Sequence, residues 1–256
     1  MMKRIAFLII TVLLILVSCY EGIFNTKPIL DNRWDPDNSE HIELPEIPAD
    51  GLLAEYLFEG STADSSGNGN DCTGNPGTYG PDRFGAVAMA LNFDGDENYL
   101  DISNTDLAKF DINEYQSISF WVKTTSGGTL FGHSYYGAGD GWRLVLDTSN
   151  LNIGSNYDNQ ELRYTYLTNS DWHHVYLYNN GFNLMFYIDG DARAEMFSCD
   201  YLDYSDSNSL YFMVGIRFND SSLNYYDCFS GMMDDIRIYN RTLTENEVLA
   251  LYYEGY

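Results

Sequence analysis

Apolar and polar positions alternate along most of the chain after Leu52, in short runs separated by clusters of Gly, Asn, Asp and Ser. Alternation with a period of two is typical of half-buried β-strands. It predicts strands over 53–58, 86–93, 117–123, 142–147, 162–167, 173–178, 184–188, 210–215 and 231–239. Many short strands at regular spacing favour an antiparallel two-sheet sandwich over a parallel α/β sheet.

Two local signals add a turn and a helix to this pattern. The Asp189-Gly190 pair predicts a two-residue hairpin, because both central residues of such a turn need positive φ. Thr244 and Glu247 have the spacing of a capping box, and apolar residues follow over 248–252. We therefore expect an all-β sandwich with one short C-terminal helix.

The first eighteen residues have the pattern of a secretory signal. A basic start at Lys3-Arg4 precedes an apolar run over 5–17 that is too short to cross a bilayer comfortably. The run ends at Leu16-Val17-Ser18-Cys19, which resembles the lipobox of bacterial lipoproteins, where the leader is cut before an acylated cysteine. We expect an exported lipoprotein held to a membrane through lipid on Cys19; an ordinary cleaved signal is the alternative.

Residues 19–50, which begin at the lipidated cysteine, differ in composition from residues 51–256. They have few apolar side chains, four prolines and many acidic and amide residues. Such a segment cannot bury enough surface to offset its ordering entropy, so it is predicted to be a flexible tether. With no second break of this kind, 51–256 is predicted to be one domain with a core of its own.

The chain is strongly acidic, with 38 Asp and Glu against 13 Lys and Arg and a formal net charge of −25. This charge disfavours nucleic acid as a partner, because phosphate backbones would be repelled. It favours cations, although solubility and mutual repulsion at a cell surface explain the acidity equally well.

Three cysteines remain once Cys19 carries lipid, and an exported protein meets an oxidising compartment. Cys199 and Cys228 flank a candidate strand pair and are predicted to form a disulfide, which leaves Cys72 free. Spacing alone does not fix the pairing, so a bridge from Cys72 to either of the others stays open.

A series of short motifs runs through the domain in a fixed order. The motifs are Leu53-Ala-Glu-Tyr-Leu-Phe58, Asp64-Ser-Ser-Gly-Asn-Gly-Asn70, Arg83-Phe-Gly85, Leu91-Asn-Phe-Asp-Gly95, Ile118-Ser-Phe-Trp-Val122, Trp172-His-His-Val175, Tyr187-Ile-Asp-Gly190 and Gly231-Met-Met-Asp-Asp-Ile-Arg-Ile-Tyr-Asn-Arg-Thr-Leu243. This succession resembles the LamG-like jelly-roll family, a branch of the concanavalin A-like lectin/glucanase superfamily, over 51–256. The resemblance implies a jelly-roll sandwich but does not decide function.

The resemblance also implies a calcium ion between the glycine loop and the late acidic pair. Calcium prefers hard oxygen ligands, and the loop offers Asp64, Asn68 and Asn70 on a flexible backbone. Strand alternation turns only one of Asp234 and Asp235 inward, and we favour Asp234 as the fourth ligand. A solvated turn and a surface acidic pair are the alternative. The loop at 94–98 is a lesser candidate that lacks the EF-hand pattern.

Aromatic residues surround the glycine-rich loop 137–141. Aromatic faces stack on sugar rings while neighbouring polar groups bind hydroxyls, so this region is a candidate glycan or partner surface. Ordinary cross-strand packing of tyrosines is the alternative. The candidate ligand-binding residues are Tyr135, Tyr136, Trp142, Arg143, Tyr164 and Tyr166, with Tyr157 nearby.

The sequence offers little catalytic chemistry. His173 and His174 are adjacent on a predicted strand and face opposite ways, so a structural role is expected for both. The superfamily includes glycoside hydrolases and lyases, but the Glu-x-Asp-x-(x)-Glu spacing of its glucanases does not occur here, nor do G-x-S-x-G or H-E-x-x-H.

We therefore expect a surface-tethered, non-catalytic module that binds carbohydrate or another cell-envelope or extracellular partner, with calcium in a structural role. The alternative is a structural or protein-interaction lipoprotein without a sugar site. A polysaccharide hydrolase or lyase is the third and least favoured hypothesis.

Overall fold

The computed structural model describes residues 46–102, 116–135, 141–147, 151–155, 159–162, 167–179, 183–198, 210–219 and 224–255. All of these belong to one compact unit, Pro45–Tyr256. The predicted leader, Cys19 and most of the predicted tether lie outside the described residues. In the described part of the chain, no helix is long and apolar enough to cross a membrane.

Sixteen strands and one helix make up the described part of the chain. They are β1 (Leu52–Tyr56), β2 (Thr73–Asn75), β3 (Thr78–Gly80), β4 (Ala90–Asp94), β5 (Tyr99–Asp101), β6 (Ser117–Tyr135), β7 (Gly141–Leu146), β8 (Leu151–Ser155), β9 (Asn159–Leu162), β10 (His173–Asn179), β11 (Asn183–Ile188), β12 (Asp191–Ser198), β13 (Leu210–Val214), β14 (Arg217–Asn219), β15 (Asn224–Tyr226), β16 (Ser230–Tyr239) and the helix α1 (Glu245–Tyr252).

The strands form two antiparallel sheets that share β6. In the first sheet the order is β12-β11-β10-β6-β16, with β1 and β4 end to end along the far side of β16 and β3 beyond β4. In the second the order is β2-β5-β13-β6-β7-β8-β9. Up to Gly127, β6 pairs in the first sheet, and from Gly128 it pairs in the second. This arrangement confirms the predicted antiparallel two-sheet sandwich.

The main hydrophobic core draws side chains from both sheets. On β6 the predicted alternation holds, because Ile118, Phe120 and Val122 are fully buried in this core. Trp121 points to the opposite face, where its ring stacks on that of Tyr252 with centroids 5.7 Å apart. The core therefore lies on one face of this part of β6, and the C-terminal segment covers the other.

The two predicted local motifs are confirmed. Asp189 and Gly190 have φ of 52° and 78° and join β11 to β12 as a tight hairpin. Thr244 caps α1, accepting a hydrogen bond from the backbone of Glu247, whose carboxylate in turn accepts from the Thr244 backbone at 2.7 Å. The helix contributes Val248 and its neighbours to a second apolar cluster on the outside of the first sheet.

Three predicted strands differ in extent from the observed ones. β6 continues to Tyr135, far beyond the expected end at residue 123, because two glycines let it bend from one sheet into the other. β4 starts only at Ala90, since the Asp82 carboxylate accepts backbone hydrogen bonds from Phe84 and Ala86 and holds that segment in a turn. β9 ends at Leu162, where a strand was expected to begin, and 163–166 lie outside the described residues.

Candidate functional site

The predicted glycine loop packs against β1 through the carboxylate of Asp64. Its Oδ1 accepts hydrogen bonds from the backbone N–H groups of Glu55 at 3.0 Å and Ser66 at 2.9 Å, and its Oδ2 accepts from Ser66 Oγ at 2.8 Å and Asn70 N at 2.9 Å. Partial burial opposes ionisation, but these hydrogen bonds hold the pKa of Asp64 below its usual value. Asp64 therefore fastens the loop to the first strand.

The two asparagines of the loop bind the same strand. The Asn68 side-chain amide donates to the carbonyls of Leu52 and Leu53 at 2.8 and 3.1 Å, and the Asn70 amide donates to that of Leu53 at 2.7 Å. Asp64, Asn68 and Asn70 thus lie together, as predicted, and their described contacts are with the protein's own backbone.

The late acidic pair sits at a β-bulge. The register between β16 and β6 shifts between Asp234 and Arg237, and Asp235 has a φ of 46°. The bulge turns both carboxylates onto Arg83, whose Nη1 donates to Asp235 Oδ2 at 2.6 Å and to Asp234 Oδ2 at 3.3 Å. The expectation that only one of the two carboxylates faces inward is therefore wrong. Burial and the charge of Asp235 raise the pKa of Asp234, while Arg83 acts in the opposite direction.

These hydrogen bonds do not fit the predicted calcium shell. The Asp64 carboxylate accepts four hydrogen bonds from its own loop and β1, and Asp234 faces a guanidinium where the ion was expected. Among the described residues there is no group of three or more His, Cys, Asp and Glu side chains that could hold a metal. Calcium stays a prediction that chelation can test.

The glycine loop and β16 are connected through β1. Glu55 donates its backbone N–H to Asp64, and its carboxylate accepts from Arg237 Nε on β16 at 2.7 Å. Arg237 also donates both Nη groups to the carboxylate of Glu254, at 2.6 and 2.8 Å. Two segments at opposite ends of the domain sequence therefore share one buried polar network beside the C-terminal segment.

The two adjacent histidines have different partners, as alternation predicts. His173 Nδ1 lies 2.8 Å from Asp189 Oδ2 in the hairpin turn, whereas His174 Nε2 lies 2.8 Å from Ser119 Oγ on β6. Burial, helped by the positive charges of Arg237 and Arg83, lowers the pKa of His174 to about 3. A neutral, enclosed imidazole of this kind supports packing rather than proton transfer.

A cavity of about 660 Å³ lies where β6 passes from one sheet into the other, and we call it the junction cavity. The described residues give it carboxylates from Asp94, Asp147 and Asp227, together with one guanidinium, from Arg143. Arg143 Nη1 lies 3.7 Å from Asp227 Oδ2. Two serine hydroxyls and an apolar wall complete this set, from Ser126, Ser230, Val145 and Leu146.

Two consecutive glycines create this junction. Gly127 and Gly128 have φ of 88° and 123°, a region that side chains with a Cβ rarely adopt. A Cβ on Gly127 would overlap the carbonyl oxygen of Leu146, and one on Gly128 would overlap that of Cys228. The chain can therefore bend this closely to β7 and the β16 approach only with glycine at both positions.

The predicted ligand-binding residues have separate fates. Arg143 lines the junction cavity. Trp142 is 1% exposed and lies in the core, which corrects the expectation that its ring faces a ligand. The reason is strand alternation: neighbours on β7 point to opposite faces. Tyr135 is in β6 without a described side chain, and Tyr136, Tyr157, Tyr164 and Tyr166 lie outside the described residues.

The cysteines give no outcome for the predicted bridge. Cys72 and Cys228 are described as free thiols, and Cys199 lies outside the described residues. The Cys199–Cys228 disulfide stays a prediction. Cys228 borders the junction cavity, where burial, followed by the charges of Asp96, Asp227 and Asp94, raises its pKa.

Sequence reasoning missed the cavity and the role of Arg83. The adjacent glycines at 127 and 128 within an otherwise strand-like stretch were a readable signal of a break. Arg83 was noted as part of a motif, but its partners lie more than 150 positions away. A buried acidic pair needs a cation nearby, which is the signal that could have identified it.

The fold and the sequence together define a concanavalin A-like β-sandwich. Residues 94–249 match a laminin G-type family model described as "Concanavalin A-like lectin/glucanases superfamily". The chain belongs to this family. A search of curated proteins gives no match.

Among solved structures, the chain resembles binding domains of botulinum neurotoxins. The receptor binding domain of the C/D mosaic serotype is 18% identical with a TM-score of 0.58, and the alignment covers 81% of this chain and 52% of that one. The serotype D binding domain is 19% identical with a TM-score of 0.57, covering 81% and 52%. The chain thus spans about half the length of the structures it matches, and at this identity the likeness shows the fold alone.

Proposed function

We propose that this protein is a surface-tethered, non-catalytic binding module whose junction cavity takes carbohydrate. The lipobox-like sequence before Cys19 supports export and tethering. The single observation that carries the ligand proposal is the cavity itself: carboxylates, serine hydroxyls and a guanidinium converge beside an apolar wall. Sugar recognition needs this combination, because hydroxyls require hydrogen-bond partners while the C–H face of a ring packs on apolar surface.

The neighbours support a binding role. One similar structure, 16% identical with a TM-score of 0.57 over 80% of this chain and 51% of that one, is titled for the dependence of botulinum neurotoxin type C on two ganglioside molecules. The described acidic pairs are also poor candidates for catalysis, since Asp234 and Asp235 are buried against Arg83. We infer that the module binds without turning over its ligand.

A glycan array tests this proposal. The full chain is applied to neutral, amino-bearing and acidic oligosaccharides, and we expect saturable binding to at least one class. Failure across the array would contradict the proposal. Release of new reducing ends from a bound polymer would instead favour a hydrolase.

A protein partner is the second candidate function. The turn before β4 exposes apolar side chains, with Phe84 48% and Val87 80% exposed. Apolar groups on a turn are typical of protein contact sites. Affinity for an envelope protein that the Val87→Ser variant lacks, together with an empty glycan array, would favour this candidate.

A further inference from the structure

The junction cavity is electrostatically one-sided. In the described part of its lining, Asp94, Asp147 and Asp227 contribute carboxylates, against the one guanidinium of Arg143. That guanidinium lies 3.7 Å from Asp227, so its charge is directed to a carboxylate already in the wall. The described lining therefore carries an excess of negative charge, and the whole chain has the same sign, with a formal net charge of −25.

A thiol in the wall is sensitive to this field. Cys228 borders the cavity and is partly buried. After burial, the causes that raise its pKa include the charges of Asp96, Asp227 and Asp94, all of which disfavour a second negative charge there. A carboxylate or sulfate on a ligand would meet the same opposition, whereas a cation would be favoured.

The remaining groups suit a sugar ring rather than a bare ion. Val145 and Leu146 supply apolar surface, and Ser126 and Ser230 supply hydroxyls that can both donate and accept. A volume of about 660 Å³ is within the range of roughly 300–1,000 Å³ that ligand sites commonly have. The ligand that uses all these features has a ring face, several hydroxyls and a positive charge.

We propose that the junction cavity recognises an amine-bearing sugar, an unacetylated hexosamine unit of a polysaccharide, with its ammonium group among the cavity carboxylates. This inference rests on the proposed function and specifies its ligand class. Sugars with carboxylate or sulfate groups are rejected by the same charges that attract the amine.

The test compares two oligosaccharides that differ in one substituent. Binding of the full chain to a β-1,4-linked glucosamine hexamer and to the matching glucose hexamer is measured by calorimetry. We expect the glucosamine hexamer to bind about tenfold more tightly at low ionic strength, with most of this advantage lost near 0.5 M salt because screening weakens charge pairing.

A pair of double variants separates the local charge from the overall charge. Asp94→Asn with Asp147→Asn should abolish the preference for the amine while retaining affinity for the glucose hexamer. Asn keeps the Oδ1 that accepts from Asp96 N. The control, Glu59→Gln with Asp171→Asn, removes the same charge from exposed positions outside the cavity lining and should keep the preference.

The outcomes are distinguishable. Equal affinity of the wild type for both hexamers, or equal effects of the two double variants, would overturn the amine proposal and leave carbohydrate binding intact. Binding of neither hexamer would contradict both proposals. A lysine hexapeptide that competes as well as the glucosamine hexamer would also overturn the inference, because charge alone would then suffice.

Discussion

Arg83 Nη1 donates a hydrogen bond of 2.6 Å to Asp235 Oδ2, joining two residues 152 positions apart in the chain. The same nitrogen lies 3.3 Å from Asp234 Oδ2, and the Arg83 side chain is only 5% exposed. One guanidinium therefore serves two carboxylates in the bulge of β16. This contact ties the turn before β4 to the strand at the centre of the first sheet.

Replacing Arg83 by Met should destabilise the protein by about 3 kcal/mol, because it leaves two buried carboxylates without their cation. The free energy of unfolding in urea gives this value. Arg241→Met is the matched control: Arg241 pairs with Glu247 at 2.6 Å but is 26% exposed, so its loss should cost under about 1 kcal/mol. Equal costs for the two variants would contradict the buried role of Arg83.

The pH dependence of stability should change in Asp234→Asn. Burial and the charge of Asp235 raise the pKa of Asp234 in the folded state above the ordinary 3.8. A raised pKa contributes stability that is complete below the unfolded pKa and is lost as pH rises through the folded one. The stability of the Asn variant relative to the wild type should therefore increase with pH above about 4, by at most about 1.4 kcal/mol per unit. Parallel stability curves for the two proteins would refute this.

Gly128→Ala should cost more than about 3 kcal/mol, since it combines a disfavoured φ with a collision against the carbonyl of Cys228. Gly60→Ala is the control. It also has a positive φ, at 69°, but an added Cβ meets nothing within 4 Å, so the expected cost is about 1–2 kcal/mol. Thermal unfolding of both variants measures the difference, and similar losses would show that the strand junction is not tightly packed.

Chelation separates hydrogen bonding from metal binding in the glycine loop. If the described contacts of Asp64 are complete, EDTA should move the melting temperature by less than about 1 °C, because no bound ion adds to stability. Asp64→Ala should lower the melting temperature equally with and without EDTA, through loss of the four hydrogen bonds. A fall of several degrees on chelation, absent from the variant, would restore the calcium site.

Much of the fold could be predicted because it follows local rules. Alternation over 118–122 sorted core from outer face, the Asp189-Gly190 pair specified a hairpin, and Thr244 with Glu247 specified the start of α1. Each of these signals depends on residues a few positions apart, so the sequence alone carries it.

The site was harder to predict because it depends on contacts distant in sequence. Alternation failed at Asp234 and Asp235, where a bulge directs both carboxylates to Arg83. The junction cavity combines the ends of β4 and β7, the bend of β6 and the approach to β16. Arg143 was identified, but its neighbour Trp142 was assigned to the wrong face because the register of β7 was unknown.

The most direct test of the account asks whether ligands enter the junction cavity. Ser126→Trp places a large ring on the cavity lining, and Thr125→Trp places it on the adjacent exposed residue that does not line the cavity. On the glycan array, we expect the Ser126 variant to lose at least about tenfold of the wild-type signal while the Thr125 variant retains it. Equal signals from the two variants would contradict a carbohydrate site in this cavity.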